Sequence, residues 1–213
     1  FHLGPFPSSE PMSPRVPPAP GEGDFAALDP NSFIDAVASA LGRRLTGLCR
    51  PYASYINRVF ELEAETGERL VVKFYRPGRW GREALLEEHS FLVELATEEQ
   101  PVIPPLALAG GTTLGLHGDI HFAVFPRMGG RMLSEFKESD WLATGRLLAR
   151  MHAVGAARPA PHRVVLHPAK STAAQLRFIL EGGFIPAPQA PAYRALGDEL
   201  VSLAAPCFEG VPL

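Results

Sequence analysis

Three places in this chain combine residue types and spacing that suit phosphoryl-transfer chemistry. The first is His117-Gly118-Asp119-Ile120-His121, which has the letters of a phosphotransferase catalytic loop, where an aspartate accepts the proton of the attacking hydroxyl. The second is Lys73, set among Val71, Val72, Phe74 and Tyr75. The third is Glu88, inside the run REALLEEHSFLVELATEE. A proton acceptor, a cation for phosphate and a carboxylate to orient that cation are the parts such a reaction needs, because its catalysis is mostly positioning and charge neutralisation.

Local structure decides which of these letters count. RVFELEA (Arg58 to Ala64) and RLVVKFY (Arg69 to Tyr75) flank ETGE, and both alternate as a half-buried hairpin should. Arg76-Pro77-Gly78 ends the second strand. A lysine in that strand either reaches solvent from an exposed face or has a partner that offsets its desolvation. In the following helix, Ala84, Leu85, Phe91, Leu92, Leu95 and Ala96 gather on one stripe, Glu88 falls near its middle and Glu87 points away. A carboxylate there is costly unless it meets a cation, for which Lys73 is a nearby candidate; the alternative is a solvated glutamate at a lobe edge.

The HGDIH string fails its context. Five residues after Asp119, where a metal-binding asparagine belongs, stands Val124. TTLGLH and IHFAVF alternate on either side of Gly118-Asp119, which predicts a two-residue hairpin turn over residues 112–125. The long helix that should precede a catalytic loop, DWLATGRLLARMH, comes later. Asp119 is therefore expected to be a turn residue.

After that hairpin, FAVF runs into PRMGGR. Pro126 lacks an N–H but keeps a carbonyl, and Gly129-Gly130 lets the chain change direction. A linker of this kind can present the Pro126 carbonyl and the Met128 amide to the edge of adenine, with Val124 and Phe125 as apolar walls. It can equally be an ordinary connection.

Composition sets the outer bounds. The chain has 213 residues, 46% of them hydrophobic, and a net charge of −3 with no basic block, which argues against nucleic acid or an anionic membrane as a partner. No apolar run approaches the roughly 18 residues of a membrane span, and residues 1–23 lack the order of a signal peptide. Two cysteines, Cys49 and Cys207, suit a reducing compartment, so a cytoplasmic location is expected. Residues 1–29 read as a disordered Pro-rich leader. The chain opens on Phe1, with Met12 as a possible true start or the whole as a fragment. The first helix, NSFIDAVASALG, is expected to be capped by Ser32 and stopped by Gly42. His152, His162, Arg163 and His167 show no triad or metal spacing and are assigned structural or surface roles.

PYASYINRVFELE, RLVVKFYRPGRW, LLEEHSFLVEL, FAVFPRMGGR and GRLLARMHAVG follow one another in this order over about residues 30–213. Together they resemble the bacterial stress-response serine/threonine kinases of the aminoglycoside-phosphotransferase-like superfamily. The resemblance implies an α+β, protein kinase-like fold: an N-terminal antiparallel sheet lobe with hinge at 30–128, and an incomplete helical lobe at 129–213. It implies ATP and Mg2+ as cofactors and a protein serine or threonine hydroxyl as acceptor. Ser54, Tyr55, Asn57 and Arg58 would form the phosphate-covering turn, Lys73 would bind the α and β phosphates, Glu88 would orient Lys73, and Phe125, Pro126 and Met128 would hold adenine.

The chain departs from that pattern at its end. Such kinases continue from GRLLARMH to a loop of form HGDxHxGN and then to a magnesium-binding aspartate, whereas this chain reaches FEGVPL. No catalytic residue and no metal ligand is expected within it, the 213 residues alone are expected to be inactive, and the helices around Leu147, Leu176 and Leu200 are expected to expose apolar faces. A small-molecule kinase acting on an aminoglycoside, choline or homoserine, a non-catalytic nucleotide-binding module, and a scaffold that leaves Lys73 solvated are the alternatives.

Overall fold

Asp29, not Ser32, opens the first helix, α1 (Pro30–Leu41). The Asp29 carboxylate accepts the Ser32 N–H at 3.1 Å, and Pro30 takes the first helical position, where its missing N–H removes no bond. At the other end Gly42, with φ 64°, closes the helix in the left-handed region. The computed structural model describes residue 25, residues 28–130 and residues 135–210. Most of the expected leader lies outside these residues. Phe25, which belongs to it, is buried in the core with Phe33 and Val37.

The described residues form two compact units. One comprises those up to Trp80 together with Pro105–Gly130; the other comprises Gly81–Pro104 and those after Gly130. The first unit is an antiparallel sheet of β1 (Leu45–Tyr52), β2 (Arg58–Ala64), β3 (Arg69–Phe74), β4 (Gly115–His117) and β5 (Ile120–Pro126), in the order β1-β2-β3-β5-β4. β1 carries Gly47 and Pro51 and has a register shift between Leu45 and Cys49. A strand of that composition survives at an edge, where a missing N–H removes no ladder bond.

Alternation along the strands sorts their side chains onto two faces. Leu62, Leu70, Val72, Phe74, Ile120, Phe122 and Val124 form the core with Phe33, Val37 and Leu41 of α1. Four aromatic rings join there: Phe33 lies 4.8 Å from Phe60 and 5.0 Å from Phe74, and Phe74 lies 5.6 Å from Phe122, centroid to centroid. The opposite face carries Val59, Lys73 and Ala123 in one cross-strand row and Glu61, Val71 and Phe125 in the next.

The hairpin over Gly118-Asp119 forms as expected, with His117 paired to Ile120. Gly118 has φ 60° and Asp119 does not share the positive sign, the pattern of a type II′ turn with glycine at its first central position. Its first strand is shorter than the alternation suggested. Gly115 is tied to one neighbour: an added Cβ would lie 2.3 Å from the ring of Phe122, its cross-strand partner, which is 1% exposed and cannot withdraw. Gly115→Ala should therefore destabilise the protein by about 1–3 kcal/mol, the usual cost of overpacking, seen as a lower urea midpoint at unchanged slope.

The second unit contains α2 (Arg82–Thr97), α3 (Glu138–Gly155), a π-helical turn (Pro168–Thr172), α4 (Ala173–Glu181), α5 (Ala190–Ala204) and a final 3-10 turn (Ala205–Phe208). Of the three leucines expected to mark exposed faces, Leu176 is buried: its methyl carbons lie 2.7 Å from where a Cβ of Gly197 would be, so that glycine admits it. Leu200 is 56% exposed and Leu147 half-buried, and neither α3 nor α5 has a buried residue. Among the described residues, no helix is long and apolar enough to cross a membrane.

Candidate functional site

Lys73 stands on β3, the central strand, between Val59 of β2 and Ala123 of β5. It projects from the sheet face opposite α1. Its ammonium lies 4.5 Å from the centre of the Tyr75 ring, two residues along on the same face. Tyr75 is buried, and its N–H donates to the His121 carbonyl at 2.9 Å.

β5 ends at Pro126, where the linker begins. Arg127 N–H donates to the Arg69 carbonyl at 3.0 Å. The Pro126 carbonyl belongs to the same trans peptide unit, so it points away from β3. On that outer edge the preceding carbonyl in phase, that of Val124, accepts Leu106 N–H at 2.7 Å. Pro126 pairs with Leu70 at a position where the ladder needs no donor. Phe125 sits opposite Val71 on the Lys73 face, and Met128 is 65% exposed.

The loop before β2 is less uniform than its expected role. Ser54 is half-buried, Tyr55 is exposed, and the Asn57 side-chain carbonyl accepts Arg76 N–H at 3.3 Å, tying the loop to the end of β3. Arg58 lies one residue out of phase with Val59, so its side chain leaves the opposite face from Lys73; its guanidinium carbon is 5.1 Å from the Phe25 ring centre. Of Arg58, only the backbone is brought near the Lys73 side of the sheet.

Within the second unit, α2 is laced to residues 158–163. Glu88 Oε2 lies 3.5 Å from Arg163 Nη1, which also donates to the Ala84 carbonyl at 3.3 Å. Glu87 does not turn to solvent: it accepts the His162 N–H at 3.1 Å and lies 2.8 Å from His162 Nδ1. Glu94 pairs with Arg158, and the bond raises the arginine's pKa further. His162 and Arg163 thus hold the segment after α3 onto α2.

Residues 49–205 match the phosphotransferase enzyme family (APH). The chain belongs to that family. It is 36% identical over 184 residues to stress response kinase A of Salmonella choleraesuis (strain SC-B67), a match covering 86% of this chain and 56% of the relative. It is 35% identical over 184 residues to a Salmonella typhimurium relative named serine/threonine protein kinase RdoA, with the same coverage. The chain spans about half the length of the curated relatives it matches. Among solved structures it resembles the amicoumacin kinase hAmiN in complex with AMP-PNP, Ca2+ and Ami, with TM-score 0.65, 22% identity, and 84% of this chain and 54% of that one covered. A spectinomycin phosphotransferase, APH(9)-Ia, in complex with ADP and spectinomycin, gives TM-score 0.53 at 12% identity over 72% and 46%. The fold is α+β and protein kinase-like, as the motifs implied.

One polar residue of this phosphotransferase-family sheet stood outside the sequence-based expectations. Glu61 is 4% exposed, in the row next to Lys73 on the same face. The Tyr52 hydroxyl donates to it, Arg69 Nη1 lies 3.0 Å away, and Arg69 Nε also reaches Glu63 at 3.2 Å. That hydroxyl first, then the nearby Arg127, Arg50 and Arg69 guanidiniums, hold the Glu61 carboxyl below its ordinary 4.5, against the opposing effect of burial. A folded-state pKa below the unfolded one contributes stability that is present above about 4.5 and lost as pH falls toward the folded value. Glu61→Gln should therefore flatten the acid limb of the stability–pH curve below about pH 5, measured by urea melts at fixed ionic strength. A strand glutamate in an alternating run, with Glu63 two residues on, was the only signal, and solvated glutamates give the same one.

Asp119 is exposed at the hairpin tip. Asp119→Ala should change stability by no more than about 0.5 kcal/mol, as surface changes usually do, and leave turnover of the whole protein intact. A folded variant that has lost turnover would return Asp119 to the catalytic centre.

Proposed function

We propose that the whole protein is an ATP-dependent kinase that works with Mg2+ and transfers the γ-phosphoryl group to a serine or threonine hydroxyl of a protein. The observation that carries this reading is the placement of Lys73: a cation at the centre of the sheet, on the face away from α1, in register with Val59 and Ala123 and one row from Val71 and Phe125. An ammonium beside an apolar wall suits a ligand with a flat base at one end and phosphates at the other. In this reading Lys73 neutralises the α and β phosphates, Glu88 orients Lys73, and Ser54, Tyr55, Asn57 and the Arg58 backbone cover the phosphates. Phe125 walls the base, the Pro126 carbonyl accepts from its amino group and the Met128 N–H donates to its ring. The proposed lobes are 30–128 and 129–213, with the hinge near Gly129-Gly130.

Among the described residues, no group of three or more His, Cys, Asp or Glu could hold a metal ion. The metal ligands and the proton acceptor are proposed to come from the part of the fold that the relatives have in addition. Burial pushes the Cys49 thiol up and keeps it neutral, and Cys207 is a free, exposed thiol; a reducing, cytoplasmic setting suits both.

Label transfer from γ-labelled ATP tests the acceptor class. The whole protein is offered itself and a generic protein in one arm, and an aminoglycoside, choline and homoserine in the other. Label on serine or threonine is expected. Label confined to a small molecule would replace this reading with that of a small-molecule kinase, and no transfer to any of them would overturn it.

A further inference from the structure

Lysine is a poor choice for a fixed cation. Its ammonium rides on four methylenes, each with staggered alternatives, and a ligand that needs it in one place must bear the entropy of ordering it. Beneath the Lys73 ammonium lies the ring of Tyr75. Tyr75 follows two residues later, so its side chain leaves the same face of the sheet. Tyr75 is 4% exposed and its N–H donates to the His121 carbonyl of β5, so burial and backbone both hold the residue. The Lys73 ammonium lies 4.5 Å from the ring centre, inside the range at which the negative face of an aromatic ring attracts a cation.

We propose that Tyr75 is a positioning residue for ATP: its ring holds the Lys73 ammonium extended over the sheet, ready for phosphate, before the nucleotide arrives. The inference rests on Lys73 being the phosphate-binding cation. Three expectations separate it from ordinary core packing. The ring face does the work, so Tyr75→Phe should bind ATP within about twofold of the native protein, since phenylalanine keeps a face that attracts cations. Tyr75→Leu keeps an apolar side chain and loses the face; its Kd for ATP should rise about three- to tenfold, within the range a partly desolvated cation–π contact can supply. In a Lys73→Met background, Tyr75→Leu should cost nothing further, because a positioning residue has nothing left to position.

Equilibrium binding of ATP to the whole protein, with the four variants checked for cooperative unfolding, tests this. If Tyr75→Leu does not fold, tetrafluorophenylalanine at position 75 replaces it: the ring keeps its shape while fluorine withdraws the charge from its face, and the same rise in Kd is expected. Equal losses in Tyr75→Phe and Tyr75→Leu would overturn the proposal, as would losses that add fully to that of Lys73→Met. Unchanged ATP affinity in Lys73→Met itself would overturn the phosphate role of Lys73, a different failure that the same measurements tell apart.

Discussion

Lys73→Ala in the whole protein should lower kcat/KM for ATP by about a hundred- to a thousandfold, the usual loss when one preorganised charge or donor is removed from the site of charge development. The reason lies in where the residue sits. β3 is paired on both sides, to β2 and β5, so Lys73 rides on the most constrained strand of the sheet. Its stem is half-buried and lies on the face opposite the aromatic core, so its removal leaves Phe33, Phe74 and Phe122 undisturbed. The fold should accordingly survive, with a change in unfolding free energy under about 1 kcal/mol. Lys73→Arg should not restore activity: a planar guanidinium carries the charge but neither the shape nor the hydration of an ammonium. Steady-state kinetics with ATP varied, beside urea melts of each variant, make the measurement. A folded Lys73→Ala enzyme with native turnover would remove the ATP anchor from this strand, whatever the family resemblance says.

Lys73 also shows how much the sequence could say. Period-two alternation placed it on a strand, and the flanking turn residues bounded that strand well, because a β2–β3 hairpin is a local structure whose signals lie within one stretch of chain. The same alternation placed Asp119 in a hairpin turn, where Gly118 takes the positive φ that a two-residue turn uses. Local patterns failed where partners come from afar. Glu87 looked solvent-facing by helical phase, yet His162, 75 residues later, takes its carboxylate. Ser32 had the chemistry of a cap, but Pro30 fits the first helical position and gives the capping role to Asp29. β1 gave no period of its own because an edge strand carrying Gly47 and Pro51 is held by its partner, β2, rather than by its own pattern.

A polypeptide of these 213 residues alone should show no magnesium-dependent ATP turnover above a blank. Phosphoryl transfer of the kinase type needs a proton acceptor near the attacking hydroxyl and carboxylates or amides that hold magnesium against the β and γ phosphates. Several of the acids are engaged elsewhere: Asp29 and Asp140 bond helix N-terminal amides, Glu61 takes the Tyr52 hydroxyl and Arg69, and Glu87 and Glu94 meet His162 and Arg158. Asp119 stands at a hairpin tip. Loss of a general base costs about 10²–10⁴ in rate, and loss of a protein-held metal several kcal/mol more, which is roughly another hundredfold or beyond. Either alone would sink turnover below a typical kinase background. ATP binding should weaken as well, because Lys73 is then the main charge set against the triphosphate, and the affinity rests on it and on burial of the base. The assay compares this polypeptide with the whole protein at equal concentration, with and without a chelator. Chelator-sensitive turnover by the 213 residues would mean that the catalytic centre lies within them, and the same assay on Asp119→Ala in that polypeptide would show whether the HGDIH string supplies it.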